Sequence, residues 1–171
     1  PAHLNRGWLY FQKVMMESPD RRKQNIAEGR RMAERAFDIM QQPNPLVLGA
    51  WFDLYDRDYD AAQEKVARAI SMGSPSGDVL AVAGTVYLLS MKPLEAKKMF
   101  AEAMRISPFH PAWYANRYAT SLAMLGETEE AKQVAETIVE KVRSGDIFAL
   151  QGSRALVTLA LIAHRENEFK R

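Results

Sequence analysis

Residues 77–108, GDVLAVAGTVYLLSMKPLEAKKMFAEAMRISP, decide the fold. Leu80, Ala83, Gly84 and Tyr87 recur at helical spacing, the segment from Met91 to Pro93 interrupts, and Ala96, Phe100 and Ala103 mark one face of a second helix that Pro108 ends. The stretch reads as a helical hairpin. Gly84 and Ala96 are small enough for the two backbones to approach closely, with Tyr87 and Phe100 filling the space beside them.

Working outward, the same unit repeats. Ala50 and Ala62, Gly84 and Ala96, and Ala119 and Ala131 each lie 12 residues apart, and Ala69, Ala103 and Ile138 each follow 7 later. The step from Ala50 to Gly84 is 34 residues and that from Gly84 to Ala119 is 35, the extra residue falling in the loop around Phe109, His110 and Pro111.

This spacing resembles the tetratricopeptide repeat (TPR), a helical hairpin with small and aromatic residues at fixed places and a closing proline. Leu80, Gly84, Tyr87, Ala96, Phe100, Ala103 and Pro108 match it residue by residue. Leu46, Ala50, Tyr59, Ala62 and Ala69 match with Gly49 and Asp53 off pattern, and Tyr118, Ala119, Leu122, Gly126, Ala131 and Ile138 match with Leu122 in place of the aromatic. The resemblance implies an all-α, right-handed superhelix of about nine helices.

The ends diverge from the pattern. Gly7 and Tyr10 suit a first helix, but Gly29, Ala33 and Ala36 arrive about ten residues late, the excess lying around Ser18-Pro19-Asp20, where Ser18 or Asp20 suits a cap and Pro19 a helix start. Leu156, Leu159, Ala160 and Ala163 repeat a first-helix face, and Glu168-Phe169 resembles Asp58-Tyr59 at the start of a second helix. The spacing therefore predicts helices near 2–17, 20–41, 45–56, 59–72, 77–90, 93–106, 111–125, 128–143 and 146–164, then a truncated tenth. Gly73, Gly126 and Gly145 fall where helix ends take a left-handed residue, and Asp146 is placed to cap the ninth helix. Residues 1–171 read as one domain, with repeats at 1–42, 43–76, 77–110, 111–145 and a partial one at 146–171. Opening on Pro1, the chain reads as a piece of a longer protein.

A second resemblance is narrower. The long first loop before Ala33-Glu34-Arg35-Ala36, Pro43-Asn44-Pro45, Asp58-Tyr59-Asp60-Ala61-Ala62, Phe100 to Pro111 leading into Trp113-Tyr114, and Leu125-Gly126-Glu127 are similar to the repeat-bearing C-terminal regions of bacterial class III adenylate/guanylate cyclases. It covers about residues 1–142 and implies an array beside a catalytic domain. No cyclase catalytic motif stands in the chain itself.

Composition narrows the function. A chain of 171 residues, 47% hydrophobic, can bury a sizeable core. Its net charge is +2, and the basic clusters at Arg21-Arg22-Lys23, Arg30-Arg31 and Lys97-Lys98 are broken by acidic residues, which argues against nucleic acid. The absence of cysteine excludes disulfides and thiol chemistry and is at home in the cytoplasm. No apolar run approaches the roughly 20 residues of a membrane span.

Catalytic and metal patterns fail one by one. Asp56, Asp58 and Asp60 begin like a calcium loop, but Ala61 and Ala67 stand where it needs glycine and a bidentate glutamate. His3, His110 and His164 have no metal-ligand partner at helical spacing, and neither a Gly-x-Ser-x-Gly elbow nor a Gly-rich phosphate loop is present. The methionines read as packing filler. The segment is read as non-catalytic, with no cofactor.

Function then falls to a surface. In repeat arrays of this kind the first helices line a concave groove, just past the small packing residue. By register these positions are Trp8, Trp51, Thr85, Thr120 and Leu161, with Phe11, Tyr55, Leu89, Asn116, Arg117, Arg154 and His164 nearby. The tryptophans equally suit packing between repeats, and the lysine and asparagine clamp that some family members use for a C-terminal carboxylate is not reproduced. The groove is expected to run from an aromatic N-terminal half to a polar, basic C-terminal half, suiting a peptide or a neighbouring domain of the parent protein. A different expectation is a scaffold that dimerises through its end repeats.

Overall fold

Proline and capping residues set where most helices begin. The computed structural model describes residues 2–16 and 18–168, and among them are nine helices and no strand. They are α1 (Ala2–Met16), α2 (Pro19–Met40), α3 (Pro43–Tyr55), α4 (Tyr59–Ser71), α5 (Gly77–Leu89), α6 (Pro93–Ile106), α7 (Ala112–Leu125), α8 (Thr128–Arg143) and α9 (Ala149–Glu168). Pro19, Pro43 and Pro93 stand in first turns, where a missing N–H breaks no helix bond. Asp58 caps α4 by accepting from the Ala61 N–H at 3.1 Å, and Ser76 caps α5 by accepting from the Val79 N–H at 3.4 Å. Gly126 ends α7 at φ +82°, a left-handed conformation costly for a residue with a Cβ.

Each helix packs on the one before and the one after it, and α3, α5, α7 and α9 also each touch the odd-numbered helix before them. Among the described residues the even-numbered helices do not touch one another. The odd helices thus form a continuous inner layer and the even ones a splayed outer layer, an arrangement that curves the stack.

The centre of the stack is closely packed. Ten residues of α5 are buried, because α3, α4, α6 and α7 surround it. Phe100 of α6 lies fully buried over Gly84, where an added Cβ would come within 2.9 Å of the ring. Gly29 of α2 makes the same accommodation for Phe52 of α3. Ala50, Ala62, Ala96, Ala103, Ala119 and Ala131 are buried and Tyr87 is half-buried. Ala50 and Ala62 share one apolar cluster, as do Ala96, Phe100 and Ala103.

Several expectations are corrected at the ends and in the loops. Ser18 precedes α2 but its side chain makes no capping bond. The ninth helix starts at Ala149, and Asp146 accepts from the Ser144 hydroxyl at 2.6 Å in the preceding turn, so it caps nothing. α9 also runs as far as Glu168, where the start of another helix was expected; Phe169 lies outside the described residues. Its buried stripe is Gly152, Ala155, Thr158 and Ile162, one residue ahead of the expected face, which leaves Leu156, Ala160 and Ala163 exposed. Leu159 is half-buried against Ala135, Ile138 and Ala155. α9 is apolar on more than one flank, so spacing alone does not select the stripe that packs.

The off-pattern Asp53 has a structural task. It is 2% exposed and accepts from Arg30 Nε at 2.8 Å and from Lys65 Nζ at 2.6 Å, tying α2, α3 and α4 together. Arg30 also pairs with Asp56, and Asp58 accepts from the Ala61 N–H, so each carboxylate has a partner within the chain.

Candidate groove on the inner helix layer

The first wall of the groove follows from helical spacing on two neighbouring helices. Trp8, Phe11 and Met15 share a face of α1, and Val47, Trp51 and Tyr55 share a face of α3. Phe11 is the hub, with ring centroids 5.4 Å from Trp8, 5.6 Å from Trp51, 5.9 Å from Tyr55 and 6.4 Å from Phe52. The Tyr55 hydroxyl donates to the Met15 sulfur. Trp8 and Trp51 are half-buried, so they pack against Phe11 and face the groove at once.

The second wall comes from later in the chain. Trp113 and Arg117 lie four residues apart on α7, and Leu150 and Arg154 four apart on α9. Together the walls enclose about 600 Å³. The Arg117 guanidinium carbon lies 5.9 Å from the Trp51 ring centroid, a cation–π contact between helices that do not otherwise pack. Beyond Arg117 and Arg154 the groove continues as a second hollow of about 410 Å³, walled by Leu88, Leu89, Met91, Thr120, Val157 and Leu161.

Of the residues singled out in the sequence, Trp8, Phe11, Trp51, Tyr55, Arg117 and Arg154 line the first hollow. Leu89, Asn116, Thr120 and Leu161, with both arginines, line the second. Thr85 lines neither: it is fully buried and its hydroxyl donates to the Ala81 carbonyl at 3.0 Å. His164 is exposed and belongs to neither hollow. Asn116 is 3% exposed and acts as a latch, its amide donating to the Gln151 carbonyl at 3.2 Å and side-chain oxygen at 3.0 Å. The Thr120 hydroxyl donates to the Asn116 carbonyl at 2.9 Å and lies 3.3 Å from that of Thr158.

The expected aromatic-to-basic gradient is replaced by a confrontation. Curvature of the inner layer brings Arg117 and Arg154 opposite the aromatic wall instead of leaving them further along it. Residues outside the expected set, among them Met15, Val47, Trp113 and Leu150, complete the walls. The i, i+4 spacing of Trp113 and Arg117, like that of Val47 and Trp51, was the available signal.

Among the described residues neither Arg117 nor Arg154 has a carboxylate within ion-pair distance. Arg117 Nε and Asn116 Oδ1 are each buried without a partner. Burial, reinforced by the charge of Arg154, pushes the Arg117 guanidinium down to about 10, where it still carries its proton at neutral pH. Asp78, also on the groove, is engaged by the Tyr114 hydroxyl, whose ionisation burial and that carboxylate push up. Among the described residues no cluster of three acidic or histidine side chains is arranged to hold a metal ion.

No protein-family model and no curated protein sequence matches the chain. Solved structures share its architecture, and two of them illustrate it. One is YrrB, described as a TPR protein with an unusual peptide-binding site, at 13% identity over 96% of this chain and 90% of that one, with a TM-score of 0.63. The other is MamA, at 11% identity over 88% of this chain and 94% of that one, with a TM-score of 0.59. At these identities the likeness establishes the fold, the right-handed α-solenoid of tetratricopeptide repeats. No helix among the described residues is long and apolar enough to cross a membrane.

Proposed function

We propose that this chain is a non-catalytic protein-interaction module that holds a peptide segment of a partner protein in the groove between α1, α3, α7 and α9. The observation that carries this reading is the groove itself: an aromatic wall facing two arginines that have no acid of their own. Aromatic and arginine side chains are the residues that most often anchor a protein partner. The peptide-binding site described for YrrB, on the same fold, supports it. The resemblance to cyclase repeat regions supports a signalling role in the cytoplasm, with the segment supplied by a neighbouring catalytic domain of an adenylate/guanylate cyclase. The test is selection of a random-peptide display library on the full chain, with enriched peptides re-measured on Trp51→Ala. Peptides that bind and lose affinity on Trp51→Ala support the groove; no enrichment, or indifference to Trp51→Ala in a folded variant, overturns it.

The uncovered flank of α9, where Leu156 is 55% exposed, favours a second arrangement, self-association through the end helix. A concentration series in light scattering separates the two. A dimer that Leu156→Glu returns to monomer supports association through this end; a monomer throughout removes it.

A further inference from the structure

Arg117 and Arg154 meet where the two hollows join, and the structure leaves their charge unanswered. Burial, and then the charge of the exposed Arg154, push the Arg117 guanidinium down to about 10. Arg117 Nε, a donor, is buried and unpaired at this junction. Unsatisfied buried polar groups are uncommon in folded proteins, and a guanidinium donor left so in a groove wall marks a place where an acceptor on a ligand completes the bonding. On both sides of this charge the groove is apolar, with Phe11 and Trp51 on one side and Leu89 and Leu161 on the other.

Resting on the peptide-groove reading above, we infer that the occupant is an acidic peptide segment, with one Asp or Glu carboxylate seated between Arg117 and Arg154 and an apolar side chain beside it against Phe11 and Trp51. A carboxylate accepts from guanidinium N–H groups in two parallel bonds, which suits a desolvated arginine better than a single acceptor does. Asp78, on the wall near Trp113, repels a second acid placed there, so the site reads one acidic position and not a run of them. That acid and the apolar walls also disfavour a polyanion such as nucleic acid, in keeping with a net charge of +2 spread over the whole chain.

The experiment examines the peptides that the display selection enriches. The expected result is an acidic residue at a fixed offset from a large apolar one. Resynthesis with Glu→Gln or Asp→Asn at that position should weaken binding about 10-fold or more, the usual worth of a hydrogen bond to a charged group. The same loss should appear on Arg154→Gln, and the acidic and amide peptides should then bind that variant alike. Arg117→Gln is a second variant, with melting measured alongside to show that it folds. Binding by the unaltered chain should also weaken with added salt for the acidic peptide and not for its amide counterpart. Enriched peptides that need Trp51 but carry no acidic preference would overturn the carboxylate and leave the peptide groove standing. An absence of enriched peptides would overturn both.

Discussion

α5 and α9 are both inner-layer helices rich in apolar residues, yet they meet different surroundings. Ten of the thirteen residues of α5 are buried because four helices surround it, whereas α9 packs on α7 and α8 alone and leaves Leu156, Val157 and Leu161 more than half exposed. Burial in a stacked array is therefore set by a helix's place in the stack as much as by its own residues. The α5 sequence could not be soluble at an end. The α9 sequence can pack there, because a single stripe of small residues, Gly152 and Ala155, suffices to seat it on the outer layer.

This contrast is sharpest at Phe100, which α5 and α6 share. Phe100→Ala should lower stability by about 3–5 kcal/mol, read as a shift in the urea midpoint, because the neighbouring helices cannot collapse into the space. A midpoint unchanged from the parent would mean that the centre is loosely packed. Gly84→Leu attacks the same contact from the other side: the new side chain meets the Phe100 ring, and overpacking should cost about 1–3 kcal/mol in the same assay.

At the other end the comparison turns on two leucines three residues apart. Leu159→Glu should destabilise by about 1–3 kcal/mol, since it carries a charge toward Ala135 and Ile138. Leu156→Glu should change the melting of the monomer by no more than about 0.5 kcal/mol, because more than half of its side chain is exposed. Equal effects for the two would show that the α9 register is wrong.

These pairs also mark where the sequence stops being legible. The central hairpin could be read because Gly84, Ala96 and Phe100 meet within about one hairpin of chain, and local spacing fixes such contacts. The register of α9 could not, because its apolar residues offer more than one stripe and the choice depends on the shape of α7 and α8. Thr85 was misplaced for a related reason: its position in the repeat is that of Trp51 and Thr120, but in the crowded middle of the stack the same position turns inward. Asp53 looked like a flaw in the pattern until Arg30 and Lys65 were seen on either side of it. A lone carboxylate in an otherwise apolar helix was the clue. The meeting of Trp51 with Arg117 had no local clue, since it arises from small rotations between hairpins that add up over two repeats.

That meeting has a mechanical side. α3 and α7 share no packing, so the separation of Arg117 from Trp51 is a gauge of how tightly the superhelix is wound. At 5.9 Å the contact already sits near the outer limit of a cation–π pair, so unwinding the coil, by a pull on its ends or a bulky guest inside, is expected to draw the cation off the indole. In a chain whose Trp8 and Trp113 are replaced, Trp51 alone would then follow the pitch of the spring in solution without an attached label.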